Sequence, residues 1–285
     1  MAGRLNPKGR WARCMIFVVL SVCPQSIRAD AWTQPAGRGQ IIWNMTFTEI
    51  SHGFNSAGNI TPFGDGGRFR KLEMNPYFEY GLNGATTLLL NAFLPALKYS
   101  NNYGSNSSFG LGDVQTGVRR RLTSPDSATM VSAEFTFLFP TYATDRNPAP
   151  GNHQVDTEAR LMAGRGFEVL RHHSFLSFAA AYRYRDGPPA DQFRWDATWG
   201  SDVSRRFMVM AQYFGITGMR NGAASGAVAI NNPNLLSDFD LYKGQLSLVS
   251  KVTRNTHIQC GWSDAFAGRN TGHGQTVLIA LWRTF

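Results

Sequence analysis

The sequence predicts an all-β chain: a closed antiparallel transmembrane β-barrel of about twelve strands. Three observations predict it. From residue 39 onward, segments of strand length alternate apolar and polar side chains almost without interruption. The links between these segments alternate short and long. The chain also opens with a basic, then apolar, then small-residue stretch, the order of an export leader, while nothing after it has the ~20 apolar residues of a membrane helix.

The leader comes first. Residues 1–13 carry Arg4, Lys8, Arg10 and Arg13 and no acid, Met15–Val22 is apolar, and Ala29-Asp30-Ala31 has small residues in A-x-A spacing. Residues 1–31 therefore read as a secretory signal peptide removed after Ala31, with residues 32–285 as the barrel and Trp32 as the first mature residue. Removal takes Cys14 and Cys23 and leaves Cys260 alone, which excludes an intrachain disulfide and a cysteine-built metal cluster. It also takes five basic residues and one acid from the 28 and 19 of the whole chain, so the net charge falls from +9 to about +5. The high pI is partly the leader's, and it implies no nucleic-acid partner.

Transmembrane strands run about 9–11 residues with lipid-facing and lumen-facing positions in alternation. The first segment, 39–51, sets Trp43, Met45 and Phe47 against Asn44, Thr46 and Thr48. The second, 67–81, sets Leu72, Met74, Phe78 and Tyr80 against Lys71, Glu73, Asn75 and Glu79. Segment 85–98 is rich in Leu, and 108–121 turns Val114 and Val118 away from Asp113, Gln115 and Arg119. In 128–141 the stripe Val131, Ala133, Phe135, Phe137, Phe139 opposes Ser132, Glu134 and Thr136. Segments 154–167, 174–186 and 191–200 place Glu158 and Arg160, then Arg183 and Arg185, then Arg194 and Asp196 on their polar sides. Segments 205–216, 237–250 and 256–266 follow, the middle one least regular, and 274–285 ends the chain.

The links after the even segments are short, as periplasmic turns are, and those at 52–66, 99–107, 142–153, 217–236 and 267–273 are longer and rich in Gly, Asn, Ser and Pro, as outer loops are. The link Gly187-Pro-Pro-Ala190 is short and breaks the rule. A sandwich strand would give the same alternation. In lipid, however, a bare N–H or C=O costs several kcal/mol, so the strands must close. Trp195, Trp199, Trp262, Tyr182 and Tyr184 fall where interfacial belts are expected.

The last segment puts Val277, Ile279, Leu281, Arg283 and Phe285 on one face. A final strand ending on an aromatic residue resembles the last strand of Gram-negative outer-membrane barrels. The resemblance implies an outer-membrane location, with membrane lipids and the barrel assembly machinery as partners through the strand ending at Phe285. Arg283 departs from it, standing where such strands place an apolar residue. The run Ala31–Gln40, with Tyr77–Gly81, Gly110–Asp113 and Tyr182–Asp196, resembles a family of small outer-membrane barrels termed XagA-like, and more loosely the barrel porins of aromatic-degradation operons. It implies a transport or export role and, as possible partners, polysaccharide export components.

With the aromatic stripes toward lipid, charge collects inside. Glu73, Glu79, Asp113, Arg119, Glu134, Glu158, Arg160, Arg183, Arg185, Arg194 and Asp196 are the candidate lumen-lining residues, with Lys71 beside them. Two readings are open: an ion-paired network that fills the interior, since charges away from water must be paired, and a polar track for a solute. The hairpin Tyr182–Asp196 aims Arg183, Arg185 and Arg194 into one region, suited to carboxylates or phosphates unless Glu134, Glu158 and Asp196 already occupy them. Histidines fall in loops, turns and strand ends, and no Gly-x-Ser-x-Gly elbow or His-Glu-x-x-His pair occurs. The expectation is therefore no enzyme, no cofactor and no metal. The sequence points to a channel or transporter-like barrel for a small polar or glycan-related solute. A filled barrel accessory to exopolysaccharide assembly is the alternative, and a lipid-modifying enzyme is disfavoured.

Overall fold

The computed structural model describes residues 31–151, 153–222, 231–233 and 237–285. The leader apart from Ala31, and much of the link 217–236, lie outside the described residues. The strands are β1 (Gly39–Phe54), β2 (Ile60–Pro62), β3 (Arg68–Gly81), β4 (Thr86–Ala92), β5 (Leu94–Asn101), β6 (Gly104–Phe109), β7 (Asp113–Arg121), β8 (Thr129–Pro140), β9 (Asp156–Val169), β10 (His172–Arg185), β11 (Gln192–Asp202), β12 (Phe207–Gly218), β13 (Asp240–Lys251), β14 (Thr256–Arg269) and β15 (Thr271–Thr284).

They make twelve staves. β4 and β5 are one strand interrupted at Phe93: β4 pairs with the lower half of β3 and β5 with the upper. β6 and β7 are likewise one strand broken at Gly110–Gly112, and β2 is a short rung on the top of β1. Every stave is antiparallel to its neighbours, and β1 pairs with β15 from Gln40↔Thr284 to Phe54↔Thr271 as well as with β3, so the sheet closes on itself. Closure leaves no edge that would demand hydrogen bonds from lipid.

The period-two pattern sets which side is which. Trp43, Met45 and Phe47 face out and are exposed, and so are Phe135, Phe137, Leu161, Leu176, Phe178, Val277, Ile279 and Leu281. So much contiguous apolar surface is far more than a soluble protein shows and matches a lipid-facing wall. Trp195 lies flat over Gly215, whose added Cβ would overlap the indole, and packs near Tyr213 and Tyr242 at 6.0 and 6.2 Å between ring centroids. A large ring covering a cross-strand glycine restores the surface that residue cannot supply.

The terminal residue completes the closure. Gly39 and Phe285 exchange both backbone hydrogen bonds at 3.0 Å. The Phe285 ring sits over Gly39, where a Cβ would come within 2.4 Å of it, and stacks on Phe78 of β3 at 5.9 Å. The last residue thus bridges three staves.

Two links differ from expectation. Residues 99–107 are not an irregular loop: β5 and β6 continue as a paired ribbon to Asn101↔Gly104. Residues 267–273 are not a long loop either, because β14 and β15 run on to Arg269 and Thr271 with a tight turn at Asn270 in the left-handed region, φ 50°. Beyond the membrane a strand no longer needs an apolar face, so polar Gly, Asn and Ser continue the ladder there and read as loop.

Candidate functional site

The site is the lumen, and its short-turn end is occupied by the residues that precede β1. Residues 31–38 turn inward before β1. Thr33 Oγ1 donates to the Gly84 carbonyl and the Gln34 N–H to Thr87 Oγ1, both at 2.8 Å. The Gln34 amide donates to Glu79 at 2.5 Å. At Gly81 a Cβ would lie 2.1 Å from the Pro35 carbonyl oxygen, so glycine is needed for this close approach. The segment then crosses to the far wall. The Trp32 ring lies over Gly164 and meets Phe175 edge-on at 6.1 Å, and the buried Ser132 hydroxyl donates to the Ala31 carbonyl at 2.8 Å.

Arg119 ties this segment to the wall. Its guanidinium donates to Glu134 at 2.8 Å, to Glu79 at 2.9 Å, to the Trp32 carbonyl at 3.1 Å and to the Tyr77 hydroxyl at 3.2 Å. Tyr77 in turn donates to Glu79 at 2.7 Å. Three of the predicted lumen residues, Glu79, Arg119 and Glu134, are therefore brought together as an anchor for the N-terminal segment.

A second group lies on β9–β11. Glu158 accepts from Arg183 at 2.9 Å and Arg160 at 3.1 Å, with Arg194 at 3.5 Å. Asp196 accepts from Arg160. Asp156 stands 3.6 Å from Arg185 and 3.8 Å from Arg183. Arg183, Arg185 and Arg194 do converge, and carboxylates already face them. Two acids of the expected set serve elsewhere: Glu134 serves Arg119 and Asp196 serves Arg160, so Glu158 and Asp156 are the acids that face the three arginines. Asp156 opens β9 on the same alternate positions as Glu158 and Arg160, so the polar stripe of segment 154–167 already pointed to it.

Asp113 stands apart. It meets the Tyr142 hydroxyl beside Gly151, where a Cβ would come within 2.1 Å of that hydroxyl. Burial, then the Asp113 charge, pushes the Tyr142 phenol above its ordinary range. Glu73 pairs with Lys71 at 3.2 Å.

The rest of the wall is neutral apart from Lys243. Asn75 donates to Asn91 at 2.7 Å, Asn91 to Gln115 at 3.4 Å and Gln115 to Thr136 at 3.0 Å, a ladder across β3, β4, β7 and β8. Facing it, Gln245 donates to Gln212 at 2.7 Å, Gln259 to Ser247 at 3.0 Å, and Thr48 and Thr276 share a bond of 2.8 Å. Lys243 Nζ sits 5.1 Å from the centre of the Phe214 ring, a cation–π distance. The sequence shows these Asn, Gln and Thr residues only as unremarkable polar alternates. Lys243 escaped notice because its strand faces a bulge between Tyr242 and Lys243 in the β13–β14 pairing.

Together these side chains line two internal spaces of about 550 and 670 Å³, which share Lys71, Glu73, Asn91, Gln212 and Lys243. Seven cationic and seven acidic side chains line them. The arrangement offers hydrogen-bond donors and acceptors at every level, with its formal charges in balance.

No known protein-family profile matches the chain, and no curated protein does. Solved structures do. The COG4313 outer membrane channel from Pseudomonas putida F1 superposes with a TM-score of 0.68 at 12% identity, covering 92% of this chain and 100% of that one. The NanC porin (TM-score 0.49, 9% identity, 85% and 98% covered) and the KdgM porin (0.47, 8%, 86% and 99%) are more distant. At these identities the likeness is one of architecture. The chain has the closed twelve-stranded antiparallel fold of an outer-membrane barrel, the fold of the Pseudomonas putida channel.

Proposed function

We propose that the protein, exported by the leader 1–31, resides in the outer membrane of a Gram-negative bacterium. There it acts as a channel for small polar solutes of low net charge, sugar-like molecules among them. The observation that carries this reading is the lumen lining. Amide and hydroxyl ladders oppose an ion-paired arginine–carboxylate group across two adjoining internal spaces, and neither charge sign is in excess. Such a wall exchanges hydrogen bonds with a passing polyol or zwitterion while giving ions of either sign little preference. The COG4313 structure, described as an outer membrane channel, supports the reading through its fold.

The test is planar-bilayer recording of the purified full chain with a salt gradient across the membrane. The expected result is single-channel conductance with a reversal potential near zero, reduced by neutral oligosaccharides. Strong anion or cation selectivity would overturn the balanced-lumen argument. The second reading, a filled barrel, is favoured by one observation, the N-terminal segment lying across the periplasmic end. Complete absence of conductance, in the full chain and in a variant lacking residues 32–37, would establish it. No feature of the lumen specifically favours the exopolysaccharide role.

A further inference from the structure

Arg283, the residue that departs from the terminal-strand pattern, has two counterparts. On the outer face of β7 the sequence runs Val118, Arg120, Leu122 at alternate positions. On β9 it runs Ala163, Arg165, Phe167, and on β15 Leu281, Arg283, Phe285. In each case the arginine is exposed while the residue before it (Arg119, Gly164, Trp282) is buried. Each therefore points outward from the wall near the barrel's short-turn end, with one outward apolar residue beyond Arg120 and Arg283 and two, Phe167 and Val169, beyond Arg165. The turns of the same end carry Arg171, Arg205, Arg206 and Arg254, all exposed. Apolar residues accompany them: Leu170 is 88% exposed, and Val203 and Val252 are exposed as well. At the β9–β10 turn both Leu170 and Arg171 hold positive φ, 50° and 68°. Non-glycine residues adopt that conformation at a cost, and here it leaves a leucine and an arginine at the tip.

None of these arginines has a carboxylate within ion-pair distance among the described residues; Arg120 and Arg283 reach only the hydroxyls of Thr86 and Thr256. At the opposite end several arginines are paired, although Arg146 there reaches only the Phe109 carbonyl. There Arg68 and Arg70 share Glu49, and Arg220 and Arg269 share Asp240. Unneutralised guanidinium groups near one end of a lipid-facing wall, with apolar side chains on both sides of them, match the boundary between acyl chains and headgroups. There a long side chain keeps its stem in the apolar layer and its charge in the polar one. The planar fork also suits a phosphate bidentately.

We infer that this girdle binds the phosphates of an anionic phospholipid, of the phosphatidylglycerol type, in the periplasmic leaflet. The inference rests on the reading of the short-turn end as periplasmic and not on what the lumen conducts. A failure here leaves the conductance test standing, and the reverse holds too.

The experiment is a titration of the detergent-purified full chain with phosphatidylglycerol, followed by native mass spectrometry, with phosphatidylcholine of the same acyl chains as reference. The expected result is preferential retention of phosphatidylglycerol. In the combined variant Arg120→Gln, Arg165→Gln, Arg283→Gln that affinity drops by about fivefold per arginine removed, the factor corresponding to ~1 kcal/mol per basic residue near an anionic membrane surface. Retained heat-modifiable migration on gels shows that the variant still folds. Equal retention of the two lipids by the wild type overturns the proposal. So does an equal loss in the variant Arg68→Gln, Arg70→Gln at the other end. Displacement of the lipid by millimolar inorganic phosphate would mean a generic anion site and would overturn it as well.

Discussion

Arg119→Ala separates an anchoring role from a solute-contacting one. The side chain is 5% exposed and holds two carboxylates that are themselves 7% and 10% exposed. Removing it leaves Glu79 and Glu134 without their cation, and breaking a buried pair by deleting one partner costs ~3–5 kcal/mol. Both acids border the internal spaces, so water can reach them once the guanidinium is gone, and the lower end, ~3 kcal/mol, is expected. The Trp32 carbonyl also loses its donor, while Thr33, Gln34 and the Ala31 carbonyl keep theirs. The segment should loosen at its middle and remain attached at both ends. Urea unfolding in lipid vesicles measures the first effect, and single-channel recording measures the second as larger or noisier conductance. Replacing all three charges together, by Glu79→Gln, Arg119→Met and Glu134→Gln, should recover most of the stability, because no charge is then left unpaired. A loss below ~0.5 kcal/mol for Arg119→Ala, typical of inconsequential surface changes, would refute the account, as would failure of the triple variant to recover.

Further outcomes follow from other parts of the molecule. Glu158→Gln strips the shared acid from Arg160, Arg183 and Arg194, so the channel should become anion-selective, read as a shifted reversal potential. Gly39→Val forces a Cβ into the Phe285 ring and the Glu79 carbonyl. It should cost ~1–3 kcal/mol and slow assembly, measured as the fraction reaching the heat-modifiable form. Asp191 lies in the link between β10 and β11. Burial pushes its carboxyl up, but bonds from the Tyr182 hydroxyl, the Arg185 N–H and the Asn221 amide outweigh that and hold it below its ordinary value. Its contribution is therefore complete above the ordinary carboxylate value and lost as pH falls through the lowered one. Protease sensitivity at this rim should rise only in that acid range, and Asp191→Asn should abolish the pH dependence.

The strands were legible because lipid on one side and a polar lumen on the other impose period two with unusual regularity; β8, with Phe135 and Phe137 against Ser132, Glu134 and Thr136, needed nothing else. The long-loop ends were not legible, because outside the membrane that contrast disappears. The β5–β6 ribbon and the Asn270 turn look like loop for that reason. The charged candidates could be read off as a list. Their grouping could not, since alternation tells a side but not a height. Glu134 and Glu158 share a parity, yet one holds Arg119 beside the N-terminal segment while the other gathers three arginines on β9–β11.

By itself the sequence determined the solvent on each face, the closure of the sheet and a count of about twelve staves. These follow from local alternation and from the cost of bare backbone groups in lipid. The tertiary structure alone decided what the charges are for. Pairing across a barrel depends on stagger between distant strands and on where the start of the chain folds back. Arg119 meets Trp32, 87 residues away, and Ser132 meets Ala31, 101 residues away, contacts that no periodicity encodes. The same three-dimensional view changed the standing of Arg283, from a lone departure on the final strand to one of three outward arginines at a single end of the barrel.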